Sequence, residues 1–458
     1  MAHKQLHTMF AKLACVSYST IPRLGVLTFL LCCCVHPFEV TRKLTFKRVL
    51  SILGNIRAKV RPSNALSVPD FYATTPVVAA FSSSFYRESF SSRLPFSMSN
   101  IDYVDIDGGV LEGGGQIFRM ALASSVLLKK PVHIFNIRAG RQIPGLRPQH
   151  LAGLLLMRDI SNGQLIGGEI GSTEIRFIPG ELSGGEYTVD TKTAGSISLL
   201  IQVALPCLIF AKSPTTLVLK GATNADFAPQ IDYLITVFKE MISRFGVYFH
   251  LIIKKRGYFP RGGGVVVLQV TPIDMLNCVT LLDAGSVVEV KGIAWVAGSV
   301  PRKKADLLAS SASRRLRQIM GCPVSVDVVE ESPQKAVGNG LGIVLFAHTS
   351  TGYILGTDRI LKQGEDPVTI GSVVAESLET QTNNGACVDR HLQDQVIIFM
   401  ALAEGTSIVR AGEITLHTKT AIYVAEIMLK VKFIIQADET SGNLITCTGC
   451  GYKRAEHV

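Results

Sequence analysis

Residues 104–128 read VDIDGGVLEGGGQIFRMALASSVLL, a pattern that predicts a short strand, a glycine-rich turn and a helix. We expect the strand over 103–106 and the helix over 116–128, where apolar residues recur at helical spacing. The turn presents backbone N–H groups that suit an anion, although turns of this kind also occur for packing alone. Glu112 adds a carboxylate, and a carboxylate beside a phosphate site suits Mg²⁺.

The order strand-helix-strand-helix-strand-strand recurs at a spacing of roughly 80 residues, which indicates repeated units. The further elements are predicted at 132–137, 148–160, 164–169 and 174–178 in the first unit, at 187–190, 194–210, 215–220, 229–245, 247–253 and 265–270 in the second, and at 389–403, 413–417, 420–431, 433–436 and 444–447 in the third. We therefore predict an α/β (α+β) fold in which three β-α-β-α-β-β units form a large domain, 101–282 and 375–450. A small α/β domain, 283–374, is inserted into it.

The first 100 residues differ from the rest in composition. They contain 12 Lys and Arg but only three acidic residues, so nearly all of the net charge of +10 lies there and the remainder is almost neutral. The apolar run 24–35 is too short to span a membrane, and its flanks are unlike a secretory signal. We expect 1–100 to be a basic extension, either disordered or an organellar targeting segment.

Two further features of the sequence are a closely spaced pair of cysteines and a helix rich in Lys and Arg. Cys447 and Cys450 form the single pair with metal-like or redox-like spacing, and without a second pair we expect reduced, unligated cysteines. The helix predicted at 302–320 in the inserted domain carries six Lys and Arg. These form either a solvated face or a contact with nucleic acid.

Two clusters combine cations with glycine or aromatic residues. The segment 138–150 contains Arg138, Arg141, Arg147 and His150 in a Gly/Pro-shaped loop, and the planar guanidinium fork favours a bound phosphate. The segment KKRGYFPRGGG, 254–264, is predicted to be a hairpin tip. It is either an ordinary turn or, because cations alternate with aromatic rings, a contact for single-stranded RNA.

Two histidines are predicted near helix starts. His391 opens one helix, and His417 ends the strand predicted at 413–417 before another helix. An imidazole at a helix N-terminus can act as a nucleophile on a phosphoryl group, although a histidine there also serves as a cap or core residue.

Taken together, these segments resemble the RNA 3′-terminal phosphate cyclase family over about 104–436. The matching motifs are DGGVLEGGGQ (107–116), RAGRQIPGLRPQH (138–150), DTKTAG (190–195), NADFAPQID (224–232), RGYFPRGGG (256–264), LQDQ (392–395) and TLHT (415–418). The family fold, three β-α-β-α-β-β units with an inserted small domain, agrees with the predicted layout.

The resemblance implies a ligase-type enzyme that uses ATP to convert an RNA 3′-phosphate into a 2′,3′-cyclic phosphate. It implies a histidine–AMP intermediate on His417 and an RNA–adenylate anhydride, with Mg²⁺ or Mn²⁺ as the metal. The implied nucleotide contacts are Gln202, Pro229, His391, Asp394 and Gln395, and the implied phosphate and metal residues are Glu112, Arg119, Arg138, Arg141 and His150. Where the family usually carries Glu-Tyr, this chain has Arg390-His391.

The resemblance also implies partners and an alternative function. The expected partners are ATP and RNA with a 3′-phosphate end, with no membrane. The resemblance favours a nuclear location, and the N-terminal extension gives a mitochondrial location as the alternative. The alternative is a non-catalytic ribosome-biogenesis scaffold of the same family, whose expected mark is loss of the nucleophilic histidine. Enolpyruvyl transfer on a similar repeated fold rests on fold analogy alone.

Overall fold

The structure is a computed structural model, and it describes residues 101–438 and 442–455. The extension predicted at 1–100 lies outside these residues. Within them, no helix has both the length and the apolar character needed to cross a membrane. The mixed α/β class is confirmed.

The first unit contains the glycine-rich turn between its first strand and first helix. Its elements are β1 (Val104–Asp107), α1 (Gly115–Leu128), β2 (Val132–Phe135), α2 (Pro148–Ile160), β3 (Gln164–Ile166) and β4 (Ile175–Ile178). The strand order is β1-β2-β4-β3, in which β1 and β2 are parallel and the other pairs antiparallel. Pro148 at the first position of α2 lacks only an N–H that the helix would leave unpaired, which explains why the helix begins there.

The second unit repeats this topology. Its elements are β5 (Gly185–Asp190), α3 (Ile197–Leu208), β6 (Thr215–Gly221), α4 (231–243, with a π-helical turn at Leu234–Phe238), β7 (Phe249–Gly257) and β8 (Gly264–Val270). The order β5-β6-β8-β7 has the same parallel and antiparallel pairs as the first sheet. The predicted hairpin at 254–264 is confirmed, because β7 and β8 pair on either side of it.

The inserted unit follows a short strand, β9 (Thr280–Leu281). Its elements are β10 (Val287–Ala297), α5 (Arg302–Ile319), β11 (Val324–Glu331), β12 (Ala336–Val337), β13 (Gly340–Thr349), β14 (Ile354–Ile360) and α6 (Pro367–Thr382). Four strands form the sheet β11-β10-β13-β14, and α5 and α6 pack together. The boundary predicted between 374 and 375 falls inside α6. The strand β12 joins the second sheet beside β7.

The third unit resumes after the insertion. Its elements are α7 (Leu392–Gln395), α8 (Ile397–Leu402), β15 (Thr406–Ala411), α9 (Leu416–Leu429), β16 (Phe433–Asp438) and β17 (Gly442–Thr448). The order β9-β15-β17-β16 reproduces the other two sheets, so β9 is the first strand of this unit. The strand predicted at 413–417 is wrong. The strand is β15, and the Thr415 hydroxyl, which accepts a hydrogen bond from the Thr418 N–H, begins the helix there instead.

The helices bring the three units together. α1 packs against α3 of the second unit and α9 of the third, and their facing side chains belong to one apolar core. The N-terminal ends of α1 and α9 are therefore neighbours. This packing places the glycine-rich turn of the first unit beside His417 of the third.

Candidate active site

Glu112 lies in the turn that leads into α1, and its carboxylate points back into the protein. The side chain is only 12% exposed. Oε1 accepts a hydrogen bond from Arg141, which also reaches the Glu112 carbonyl oxygen at 3.2 Å. The Glu112 N–H donates to the Thr420 hydroxyl of α9 at 3.3 Å. A Cβ on Gly114 would overlap the carboxylate, so a side chain there would displace Glu112. Glu112 thus links the first unit to the third.

His417 occupies the first turn of α9. Its side chain is 55% exposed, so the ring is open to an incoming molecule. The turn is fixed by Gln393, whose Oε1 accepts from the Thr415 N–H at 3.0 Å and from the Thr418 hydroxyl at 2.6 Å. The positive end of the α9 dipole lies at this turn, where it favours an anion. The sequence analysis did not single out Gln393, because its role depends on a neighbouring helix.

A single carboxylate oxygen connects Glu112 and His417. Nδ1 of His417 lies 3.9 Å from Oε2 of Glu112, and this oxygen is buried without a hydrogen-bond partner. In 101–438 and 442–455, no group of three or more His, Cys, Asp or Glu side chains is arranged to hold a metal. A divalent cation therefore fits only if Glu112 binds it together with substrate phosphate oxygens, which is a common mode for Mg²⁺. The unpaired Oε2 satisfies that requirement.

Arg119 and His150 converge on the start of α1. A Cβ placed on Gly115 would lie 2.8 Å from Nη1 of Arg119 and 2.9 Å from Nε2 of His150. Burial lowers the pKa of Arg119, and the charges of Asp394 and Glu112 oppose that change. The two side chains therefore point their polar ends at a helix N-terminus, an arrangement that suits a phosphate.

His150 is neutral at physiological pH. Burial and the charges of Arg119, Arg138 and Arg147 lower its pKa to about 3. Its Nδ1 accepts from the Arg147 N–H at 3.3 Å, which assigns the ring proton to Nε2. Nε2 is consequently a donor toward Gly115, and a neutral ring with this tautomer can donate a hydrogen bond to an anion.

A partly open cleft is lined by three of the five implied nucleotide contacts. Gln202 of α3 and both Asp394 and Gln395 of α7 line it, together with Arg119. Burial raises the pKa of Asp394 to about 6, and the charges of His417, Arg119 and His391 limit the rise. Oε1 of Gln395 is buried without a partner, so the cleft offers an unused acceptor.

Two implied nucleotide contacts lie outside that lining. Pro229 is buried in the loop before α4. His391 precedes α7 and makes an edge-on contact with Tyr233, with 5.8 Å between the ring centroids.

The cations predicted to bind phosphate have different partners. Nη1 of Arg138 donates to the carbonyl oxygens of Ile143 and Gly145 at 2.9 and 3.0 Å, so Arg138 closes its own loop. Arg141 reaches across to Glu112, and Arg147 contributes its backbone N–H to His150. Glu112 therefore lies between this loop and His417, because its Oε1 accepts from Arg141 and its Oε2 faces the imidazole.

The sequence analysis also missed Asp389. This buried carboxylate accepts from the Tyr233 hydroxyl at 2.7 Å and from the N–H groups of His391 and Leu392 at 2.9 Å. Its other oxygen accepts from the Gly356 N–H of β14 at 2.8 Å. Asp389 thus fixes α7, which carries Asp394, against the inserted unit.

The basic helix of the inserted unit, α5, offers a mostly solvated face. Arg315 pairs with Glu376 at 3.0 Å, and Arg302 lies 3.8 Å from Asp306. Arg317 donates to the Val324 carbonyl oxygen. These contacts support the interpretation of the six Lys and Arg as a solvated face rather than a contact with nucleic acid.

Comparison with known families agrees with this site. A family model for RNA 3′-terminal phosphate cyclase matches residues 110–435, which include Glu112, the arginine loop, the cleft and His417. The chain belongs to this family. It is 40% identical over 350 residues to the RNA 3′-terminal phosphate cyclase of Drosophila melanogaster, covering 76% of this chain and 97% of that protein.

Two further relatives carry the same family description. The RNA 3′-terminal phosphate cyclase of Pyrobaculum aerophilum is 38% identical over 351 residues, 77% of this chain and 99% of that protein. A probable RNA 3′-terminal phosphate cyclase of Dictyostelium discoideum is 37% identical over 361 residues, 76% of this chain and 83% of that protein. The shared region corresponds in extent to the three units and the insertion. The family assignment therefore covers the whole candidate site.

Proposed function

We propose that this chain is an ATP-dependent RNA 3′-terminal phosphate cyclase that works through a histidine–AMP intermediate on His417. The observation that carries the proposal is the approach of His417 to Glu112 at the adjoining ends of α1 and α9. A solvent-open imidazole faces a buried carboxylate there. Membership of the cyclase family supports the overall reaction.

The first step forms a bond between the imidazole and the α-phosphorus of ATP. Because Nδ1 faces Glu112, Nε2 is the nitrogen free to attack. Its lone pair forms the N–P bond, the bond to the bridging oxygen breaks, and pyrophosphate leaves with that electron pair. The Glu112 carboxylate then stabilises the positive charge on the substituted ring, with the Nδ1 proton directed toward it.

The next two steps transfer AMP and close the ring. An oxygen of the RNA 3′-phosphate attacks the same phosphorus, and the N–P bond breaks to return its electron pair to His417. The neighbouring 2′-hydroxyl oxygen then bonds to the RNA phosphorus, AMP leaves with the electron pair, and the hydroxyl proton is released to water. Adenylation is required because a phosphate monoester is a poor electrophile without a good leaving group.

The other side chains bind and orient the reactants. Arg119 and the Nε2–H of His150 would hold phosphate oxygens at the start of α1, and Arg141 would hold Glu112 in place. Gln202, Asp394 and Gln395 would contact the nucleotide in the cleft, with Pro229 and His391 at its margin. Mg²⁺ or Mn²⁺, when held by Glu112, supplies charge neutralisation at the phosphates.

The test is a two-stage labelling experiment with the full chain. After incubation with α-labelled ATP and Mg²⁺, we expect a base-stable, acid-labile label on the protein. Adding an oligonucleotide with a 3′-phosphate should discharge the label and make that end resistant to phosphatase. An unlabelled protein that leaves the end sensitive would contradict the proposal and favour the non-catalytic ribosome-biogenesis scaffold.

We also propose a nuclear location, with a mitochondrial location as the alternative that the basic residues 1–100 support. Imaging the full chain beside a version that starts at Ser99 tests this. Nuclear signal from both supports the proposal, and mitochondrial signal that depends on 1–100 contradicts it.

A further inference from the structure

Three loops meet at one end of the second sheet. They are the loop after β5 (191–196), the loop after β6 (222–230) and the hairpin tip (258–263). The Thr223 N–H donates to the Gly257 carbonyl oxygen at 3.0 Å. A Cβ on Gly262 would lie 2.4 Å from the Thr193 carbonyl oxygen, so the hairpin tip rests directly on the first loop. The three loops form one continuous surface.

Two aromatic rings project from this surface into solvent. Phe227 is 98% exposed and Phe259 is 78% exposed. Phe227 also has a φ of 60°, a backbone conformation that non-glycine residues seldom adopt. Nε2 of Gln230 donates to the carbonyl oxygens of Ala225 and Ala228 at 3.3 and 3.2 Å, which closes the loop around Phe227. The ring is thus held outward in an unfavourable conformation and gains no packing from it.

Exposed cations lie in the same loops. Arg261 is exposed in the hairpin tip and has no ion pair within the part of the chain that the structure describes, and exposed Lys192 pairs only with Asp190 of its own turn. These loops also contain one exposed acidic residue, Asp226, which precedes Phe227 in the sequence. Arg256 has a different role, because it is bound to Asp232 and Glu331 and anchors the hairpin. Exposed rings and exposed cations in the same loops match the chemistry of single-stranded nucleic acid.

The surface is continuous with the proposed phosphate site. Oε1 of Gln149 accepts from the Ser196 N–H at 2.7 Å, and a Cβ on Gly195 would lie 3.0 Å from Cβ of Gln149. Gln149 immediately precedes His150, whose Nε2 faces the start of α1. A strand of RNA that ends at His150 therefore lies next to the loop after β5, on which the hairpin tip rests.

We propose that these three loops bind the single-stranded RNA segment that precedes the 3′-phosphate. Phe227 and Phe259 stack on bases, and Arg261 and Lys192 contact backbone phosphates. This inference rests on the proposed function, because it takes the 3′-phosphate to lie near His150. Because an aromatic ring can stack on any base, the surface binds single-stranded RNA ends and does not require a particular RNA sequence.

The test compares oligonucleotides of two lengths that carry a 3′-phosphate. For a 12-mer we expect Phe227→Ala and Phe259→Ala to raise the KM of cyclization about tenfold each, the scale of one lost stacking contact. The KM for a trimer, held mainly by its phosphate, should change less than about twofold, and adenylation of the protein should not change. Arg261→Ala should also reduce the salt dependence of 12-mer binding by a slope of about 1.

The matched control is Tyr248→Ala. Tyr248 is 67% exposed and lies at the opposite end of β7, so its loss should leave both KM values unchanged. Equal effects on trimer and 12-mer, or no effect of either phenylalanine, would overturn the inference. Loss of protein adenylation in Phe227→Ala would assign that ring to ATP and overturn it as well.

Binding of a labelled 12-mer, measured by fluorescence anisotropy without ATP, separates this inference from the proposed function. If the protein forms no AMP adduct but Phe227→Ala still weakens 12-mer binding, only the catalytic proposal fails. If the adduct forms and 12-mer binding is unchanged in Phe227→Ala and Phe259→Ala, only the RNA surface fails.

Discussion

Nδ1 of His417 lies 3.9 Å from Oε2 of Glu112, although the two residues belong to different repeat units. The packing of α1 against α9 produces this approach. Because Oε1 of the same carboxylate accepts from Arg141, we expect a change at the arginine to affect the position of the histidine. In the proposed reaction, phosphate binding and nucleophile positioning would therefore share one carboxylate.

Arg141→Ala should slow both adenylation and cyclization, by about ten- to a hundredfold, the scale of one lost charge-assisted hydrogen bond. We expect both effects because the contact with Glu112 ties Arg141 to both steps. Single-turnover rates of adduct formation and of RNA ring closure measure the two effects. A normal adduct rate with slow ring closure would mean that the arginine loop forms a phosphate site separate from His417.

Arg138→Ala is the matched comparison, because Arg138 binds only backbone carbonyl oxygens of its own loop through Nη1. We expect a loss of about 1–3 kcal/mol in unfolding free energy, since two carbonyl hydrogen bonds disappear. Urea denaturation measures this loss, and the adenylation rate of Arg138→Ala should stay closer to wild type than that of Arg141→Ala, because Nη1 of Arg138 binds its own loop rather than Glu112. The opposite ranking of the two adenylation rates would mean that the roles are exchanged.

Asp394→Asn should stabilise the folded protein at neutral pH. Burial raises the pKa of Asp394 from 3.8 to about 6, so the folded state holds a proton that the unfolded state releases. Stability should therefore fall as pH rises from about 4 to 6, by at most ~3 kcal/mol, and then level off. The variant should match wild type below pH 4 and exceed it above pH 6.

Urea denaturation across pH checks this expectation, with Asp327→Asn as the control because Asp327 is an exposed strand residue. A constant difference between Asp394→Asn and wild type at every pH would show that the carboxyl group is not titrating in this window.

Asp389→Asn should raise the KM for ATP in protein adenylation, because Asp389 orients the helix that carries Asp394 and Gln395. Asp389 also accepts from Tyr233, and Tyr233→Phe removes only that one bond. We expect the tyrosine variant to lose about 1 kcal/mol of stability with little change in KM. Equal effects of both variants on KM would assign the role to the tyrosine contact rather than to α7.

The sequence predicted most elements because their signals are local. Pro148 marks the start of α2, and the helix ends where predicted, at Ile160. The glycine-rich turn and its helix follow in the same way. By contrast, β9 has only two residues and pairs with a strand beyond the insertion, so no local periodicity reveals it.

The site was predictable as a set of residue types but not as a set of contacts. His417, Glu112 and Arg141 stood out by motif, whereas their contact depends on the packing of α1 against α9. Asp389 and Gln393 escaped notice because their partners lie on other elements. Thr415 began a helix within a predicted strand, since its capping hydroxyl outweighs a short apolar pattern.

The most direct test of the histidine–AMP proposal is mass spectrometry of the protein after incubation with ATP and Mg²⁺, comparing wild type with His417→Ala, His391→Ala and His391→Tyr. The account predicts AMP on His417 in wild type and no adduct in His417→Ala. It predicts a reduced adduct in His391→Ala, because that variant loses a proposed nucleotide contact at the margin of the cleft. It predicts an unimpaired adduct in His391→Tyr, because a ring remains there and His391 supplies no electron pair to phosphorus. AMP found on His391, or an adduct that survives in His417→Ala, would contradict it.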